Sequence, residues 1–161
     1  MSKKRKLNRK KINFIKPSII FSIIGIFIPG FTAIGILGTQ MLLTSFGIEC
    51  SIAWKGIWFF SILSSLILPF LFYVRIHKMN QKKSQNLKIY LNMFNLFEYI
   101  LIQAGLSVFF TTGEILCYGS GGQNGIELAF TAWLAIPILI CFSYIFTKTF
   151  NQKTERENPT E

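Results

Sequence analysis

Long apolar stretches alternate with short polar segments along the chain. A membrane-spanning helix needs about 20 predominantly apolar residues. The stretches that reach this length cover residues of about 18–39, 52–74, 89–111 and 126–147. The pattern therefore predicts an all-α fold, with a polytopic membrane domain over residues 17–147 built from four transmembrane helices in two hairpins.

The first apolar stretch is longer than one membrane crossing, since it persists from Ser18 to Ile48. Pro29 and Gly30 lie inside it and predict a kink. The surplus, residues 40–48, fits either the end of a tilted helix or a segment lying in the outer interface. The stretch exceeds the apolar core of a cleaved signal peptide, so we expect it to be retained as an anchor.

The positive charges give the orientation. All Lys and Arg residues but Lys55 fall within residues 3–16, 75–88 and 148–156. Basic residues next to membrane spans stay in the cytoplasm, whereas the segments 40–51 and 112–125 carry Glu49 and Glu114 and no basic residue. We therefore expect a basic cytoplasmic segment over residues 1–16 and a disordered cytoplasmic tail over residues 148–161, with both termini inside.

The net charge of +10 raises the question of nucleic acid, because residues 3–11 form a strongly basic run. Such a run directly before an apolar span is held by the anionic cytoplasmic leaflet, at about 1 kcal/mol per cation. An apolar fraction of 51% supports this interpretation. We expect the lipid bilayer as a partner, no nucleic acid, and a multi-pass protein of the bacterial inner (plasma) membrane.

The third predicted span is the most polar. At 3.6 residues per turn, most of its polar side chains fall within about a third of the helix circumference, and Glu98 lies at their flank. The candidate polar intramembrane face consists of Asn92, Asn95, Glu98, Tyr99, Gln103 and Ser107. Polar groups in hydrocarbon need partners, so this face is not expected to meet lipid.

Three interpretations of this face stay open. Its side chains hydrogen-bond neighbouring helices, for which we expect partners among the serines of the second span, Ser61, Ser64 and Ser65. Alternatively, the face binds a partner protein. In the third interpretation Glu98 is a proton or cation site supported by Asn95 and Gln103.

Small residues follow one face of the first span. They are Ser22, Gly25, Pro29 and Thr32. Small side chains let helices approach closely. The face predicts either packing within the chain or self-association into a homo-oligomer.

The cysteines divide by position. Cys50 and Cys117 fall in the two segments assigned outside, whereas Cys141 lies deep in the fourth span and is expected to be a small buried residue. In an oxidising compartment Cys50 and Cys117 are a candidate disulfide. Sequence alone does not test the geometry that such a bond requires.

Catalytic parts are not visible. There is no Cys-x-x-Cys pair, no Asp, and a single histidine, His77. The glycine-rich segment 119–125 lacks the Gly-Lys-Ser/Thr ending of a phosphate-binding loop and fits a flexible turn. We expect no catalytic residues, no metal site and no cofactor.

The remaining hypothesis is a non-enzymatic protein that acts by binding another membrane component. One version is an immunity-type protein that intercepts a membrane-inserted, pore-forming toxin, an analogy that rests on architecture alone. The alternative is a small oligomeric transporter or channel whose path includes Glu98.

Overall fold

The computed structural model describes residues 13–27, 29–78, 87–118 and 126–156. These residues form only helices and short connections, which confirms the all-helical fold class. The helices are α1 (Ile15–Phe27), α2 (Pro29–Ser45), α3 (Cys50–Lys78), α4 (Leu87–Ser107), α5 (Gly113–Tyr118) and α6 (Ile126–Arg156). Most of the basic segment 1–16 and of the basic connection 75–88, and the whole glycine-rich segment 119–125, lie outside the described residues.

The expected first span, residues 18–39, is wrong as a single helix. It is divided into α1 and α2, whose axes differ by 76°. Pro29 begins α2 and has no N–H group, so the carbonyl of Gly25 loses its donor four residues later. Residues 40–45 are helical, since α2 continues to Ser45, and both alternatives for residues 40–48, a tilted helix end and a segment in the outer interface, stay predictions. The chain turns after this helix at Gly47, which has a φ of +85° that favours glycine.

Both α3 and α6 are longer than the spans predicted for them. The expected disordered tail at residues 148–161 is wrong for residues 148–156, because α6 continues to Arg156. A packing contact holds the first part of this extension. Phe150 is buried against Phe14, with their ring centroids 5.9 Å apart, so the last turns of α6 contact the chain that enters α1.

By length and composition, α3 and the Leu128–Gln152 part of α6 qualify as membrane-crossing helices, and α1 with α2 qualify if the bent pair is one span. The helix α4 occupies most of the third predicted span but is not among them. It carries the polar side chains described above, which lower its apolar content. The number of four spans therefore stays a prediction.

The helix α4 lies at the centre of the packing and contacts α1, α2, α3 and α6. Its contacts define the helix directions. Asn95 and then Tyr99 contact α1 at Ser18 and then Gly25, so α1 and α4 run parallel. In contrast, α6 contacts α1 in the reverse order and is antiparallel to both.

The two ends of the helix assembly differ in charge. At the basic end, the Phe14 N–H donates to Thr147 Oγ1 at 3.1 Å, and exposed cations surround a buried aliphatic and aromatic cluster. These cations are Lys16, Arg75, Lys78 and Lys148. At the opposite end, called the disulfide end, Glu49 and Glu114 are exposed near Cys50 and Cys117.

Large apolar side chains cover the outside of the helices. Phe31 is 74% exposed and Phe59 63%, whereas Asn95 and Gln103 are fully buried. This distribution inverts the pattern of a water-soluble protein, and it suits a surface that meets lipid.

Candidate functional site

The polar face of α4 points mostly into the protein. Asn95, Glu98, Gln103 and Ser107 are fully buried and Tyr99 is nearly so. Asn92 is exposed and lines a surface cavity together with Lys16 of α1. Of this face, only Asn92 is accessible to a partner protein in this arrangement, and a partner-binding role stays a prediction.

At the basic end of this face, an amide and two hydroxyls join three helices. Asn95 Nδ2 donates to Ser18 Oγ at 2.8 Å, and Ser18 Oγ lies 2.5 Å from Ser143 Oγ on α6. All three side chains are fully buried. Hydrogen bonds between membrane helices contribute modestly to stability but specify which faces meet.

One turn further along α4, Tyr99 compensates for the break between α1 and α2. Its hydroxyl donates to the carbonyl of Gly25 at 3.0 Å, the carbonyl that Pro29 leaves without a helical donor. A Cβ at Gly25 would lie 3.4 Å from the Tyr99 ring, so the glycine lets the ring approach closely. The small-residue face of α1 therefore packs within the chain at this point.

Gln103 makes the corresponding contacts beyond the break. Its Nε2 donates to the Leu128 carbonyl at 2.7 Å and to the Pro29 carbonyl at 3.4 Å. Thr131 Oγ1 in turn donates to the Gln103 carbonyl at 3.0 Å. The side chain thus joins α2, α4 and α6.

The expected serine partners on α3 are wrong. The α3 partner is Trp58, whose Nε1 donates to Ser107 Oγ at 2.8 Å. Ser65 donates to its own helix at the Ile62 carbonyl, and the hydroxyls of Ser61 and Ser64 have no hydrogen-bond partner among the described residues. The polar face of α4 makes most of its hydrogen bonds with α1 and α6, because its buried side faces those helices.

Glu98 is the exception within the polar face. Both carboxyl oxygens are buried, and neither has a hydrogen-bond partner in the described part of the chain. Asn95 Oδ1 and Ser22 Oγ nearby along α4 and α1 also lack partners. An ionised carboxylate buried without a donor or a cation costs several kcal/mol. The surroundings of Glu98 therefore suit an uncharged carboxylic acid or a carboxylate that binds a cation.

The structure joins Cys50 and Cys117 in a disulfide, with their Cα atoms 6.0 Å apart. The bond ties the first residue of α3 to α5, and Gln40 Nε2 of α2 lies 3.1 Å from Cys50 Sγ. The expectation for Cys141 is wrong, because this free cysteine is exposed on the outer surface of α6. Among the described residues, no group of three or more His, Cys, Asp or Glu side chains is arranged to hold a metal ion.

A cavity of about 450 Å³ lies between α2, α3 and α4 toward the disulfide end. Sequence reasoning missed it. Its lining is aliphatic apart from one ring and three hydroxyl side chains, and consists of Ile36, Thr39, Leu43, Ile48, Ile52, Ala53, Gly56, Ile57, Phe60, Ser61, Ser64, Ile100, Leu101 and Ala104. The indication available in the sequence was the set Gly56, Ser61 and Ser64, whose small side chains leave space beside α4.

Residues 56–154, more than half of the chain, match the family model of the serpentine-type 7TM GPCR chemoreceptors, Srz. The chain belongs to this family. The matched region begins in α3 and includes α4, α5 and most of α6. No curated protein and no solved structure matches the chain.

This chemoreceptor-family protein is an integral membrane protein, as its apolar helices and its family together show. The family match does not support the expected bacterial inner membrane. The family name refers to seven spans, whereas the described residues contain two helices, or three spans with the bent pair, that qualify by length and composition.

Proposed function

We propose that the protein acts without catalysis, as a receptor-type binding protein whose ligand is a small, neutral, mostly apolar molecule. The observation that carries this proposal is the cavity between α2, α3 and α4. Its volume of about 450 Å³ lies within the range of small-molecule sites. The chemoreceptor name of the family supports the same class of function.

The lining of the cavity indicates the chemistry of this ligand. No charged side chain lines it, so the ligand is uncharged. The hydroxyls of Ser61 and Ser64 line it without a hydrogen-bond partner in the described residues, whereas Thr39 donates to the Gly35 carbonyl of its own helix. A ligand with one carbonyl or hydroxyl group on an apolar body would satisfy Ser61 or Ser64.

The proposal is a specific form of the hypothesis that the protein binds another membrane component. The toxin-binding form would use the outer loops or the lipid-facing surface, because the polar face of α4 is buried. We further propose that the basic end lies in the cytoplasm. The separation of Lys16, Arg75, Lys78 and Lys148 from the disulfide supports this orientation.

Filling the cavity tests the proposal. A Cβ at Gly56 would meet no atom within 4 Å, so Gly56→Phe places a ring in the cavity without a backbone clash. Gly38→Phe is the matched control, because Gly38 also has open space around it and lies outside the cavity lining. Replacing either helical glycine also removes its unfavourable helix propensity, so both variants should fold.

The measurement is saturable energy transfer from tryptophan to 1-aminoanthracene, a small neutral fluorescent probe, with the full chain in detergent. Trp54 and Trp58 lie on α3 next to cavity residues. We expect saturable transfer in the unchanged protein and in Gly38→Phe, and at least tenfold weaker binding in Gly56→Phe. Equal binding by the two variants would refute the site.

A second candidate function, transport of a proton or a cation, is favoured by Glu98 alone. The carboxyl group is fully buried and lacks a partner among the described residues. Transport predicts that Glu98→Gln abolishes pH-dependent or cation-dependent flux in proteoliposomes, with Glu114→Gln at the disulfide end as the control. Flux that is equal in both variants, or absent from the unchanged protein, excludes transport through Glu98.

A further inference from the structure

The seam between α3 and α4 holds a second cavity at the basic end, about 760 Å³ in volume. Two cations, Arg75 and Lys78, stand at one side of it, and the rest of its lining is apolar or aromatic: Leu68, Leu71, Phe72, Val74, Tyr90, Met93, Phe94 and Phe97. A cavity with cations at one end and hydrocarbon along its length has the polarity of an amphiphile with an anionic head.

The two cations are available to a ligand. The Arg75 guanidinium lies over the Tyr90 ring, 4.1 Å from its centroid. Stacking of this kind fixes the guanidinium plane and leaves its N–H edge free to bind phosphate oxygens in pairs. Both cations are exposed, and no carboxylate among the described residues pairs with either of them.

The apolar part of the cavity continues along the seam. A neighbouring space of about 270 Å³ shares Leu68, Leu71 and Phe97 with it and extends to Ser64 and Leu101. From Arg75 to Ser64 the helix rises about 16 Å, at 1.5 Å per residue. One leaflet of the hydrocarbon core is about 15 Å thick, so the groove matches the depth that one acyl chain occupies.

We infer that this groove binds an anionic phospholipid, with its phosphate on Arg75 and Lys78 and one acyl chain along Leu68, Leu71 and Phe97. The headgroup end of this groove lies at the opposite end of the α3–α4 seam from the proposed ligand cavity, whereas its apolar end reaches Ser64 and Leu101, which also line that cavity. The inference goes beyond the proposed function. Charge complementarity selects this occupant, because a zwitterionic lipid brings a second positive group toward Arg75 and Lys78.

Competition between two lipids tests the headgroup. The full chain is purified in detergent and given equal amounts of phosphatidylglycerol and phosphatidylcholine with the same acyl chains, and retained lipids are counted by native mass spectrometry. We expect the unchanged protein to prefer phosphatidylglycerol. This preference should fall roughly fivefold in Arg75→Gln and roughly fivefold in Lys78→Gln, each measured as a single variant. Lys148→Gln removes one exposed charge from the same end outside the groove and should change the preference less than twofold.

A second pair of variants tests the acyl chain. Leu71→Trp fills the groove, whereas Leu66→Trp places the same side chain on an exposed position of α3 that lines neither space. Retention of phosphatidylglycerol should fall in Leu71→Trp only.

Equal effects of all three charge variants would mean diffuse surface attraction. Displacement by glycerol phosphate at equal concentration would mean a site for free phosphate, and either result overturns the inference.

Discussion

The two sides of α4 use polar groups in opposite ways. Toward α1 and α6, Asn95, Tyr99 and Gln103 donate hydrogen bonds across helix boundaries. Toward α3, Trp58 donates one hydrogen bond to Ser107, whereas the hydroxyls of Ser61 and Ser64 border cavities and have no partner among the described residues. The first side is held together by its polar contacts, and the second keeps space that a ligand or a lipid can fill.

At one end of the seam between α3 and α4, the disulfide joins α3 to α5. Loss of this bond should have the largest effect on stability. The bond joins residues 67 positions apart. Closing a loop of this kind stabilises a fold by about 2–4 kcal/mol, chiefly by restricting the unfolded chain. We expect the double variant Cys50→Ser, Cys117→Ser to lose free energy of unfolding in this range, measured by denaturant titration in detergent.

Two controls accompany this measurement. Cys141→Ser, at the exposed free cysteine, should leave the unfolding transition unchanged. Reduction of the unchanged protein should reproduce the double variant. A transition in the double variant that matches the unchanged protein would show that the seam does not depend on the bond.

A close approach of α3 and α4 gives the second prediction. A Cβ at Gly105 would lie 3.1 Å from Ile62 Cγ1 and 3.5 Å from the Ile62 backbone nitrogen. Overpacking at such a position costs about 1–3 kcal/mol, so Gly105→Leu should destabilise the protein by that amount. Gly38→Leu, with open space around its Cβ, should stay within about 0.5 kcal/mol of the unchanged protein.

Thermal unfolding followed by circular dichroism in detergent provides the comparison of these glycine variants. If Gly105→Leu unfolds at the same temperature as Gly38→Leu, the seam yields to an added side chain. Its cavities would then be adaptable in size, and their volumes in this structure would not limit the ligand.

The smallest effect is expected on the hydrogen-bonded side. Tyr99→Phe removes the hydroxyl that donates to Gly25 and keeps the ring that packs on Phe21, with centroids 5.8 Å apart. Hydrogen bonds between membrane helices average about 0.6 kcal/mol and reach about 1.7. We expect a loss near the upper value, because the Gly25 carbonyl has no helical donor to replace it.

Tyr144→Phe is the matched control for this variant, because Tyr144 is 57% exposed on α6. Both variants are measured in the same denaturant titration. A Tyr99→Phe loss no larger than that of Tyr144→Phe would show that the break between α1 and α2 does not depend on this hydroxyl.

Local physics made part of the fold predictable. Apolar length predicted apolar helices where α3 and α6 lie, and the 3.6-residue period predicted a shared face for Asn95, Tyr99 and Gln103, with Glu98 at its flank. A kink was expected at Pro29, but the missing N–H donor of this residue divides the segment into two helices, α1 and α2. The contact of Phe150 on α6 with Phe14 was not predictable from residues 148–156, because the two rings are distant in sequence.

The candidate sites also depend on contacts between segments that are distant in sequence. The amphiphilic groove needs Arg75 and Tyr90 on different helices to stack, and the cavity near the disulfide end needs residues from α2, α3 and α4. Neither arrangement leaves a pattern within one segment. The serine partners expected from α3 were wrong for the same reason, because the choice among neighbouring helices is made by packing.

By itself, the sequence determined that this is a helical membrane protein with segregated charges, a polar α4 and a pair of cysteines suited to a disulfide. These properties follow from transfer free energies and helix periodicity, which act along a single segment. The tertiary structure decided which groups meet: Asn95 with Ser18, Tyr99 with Gly25, and Arg75 with Tyr90. It also left Glu98 without a described partner, because helix packing sets distances between segments that periodicity cannot specify.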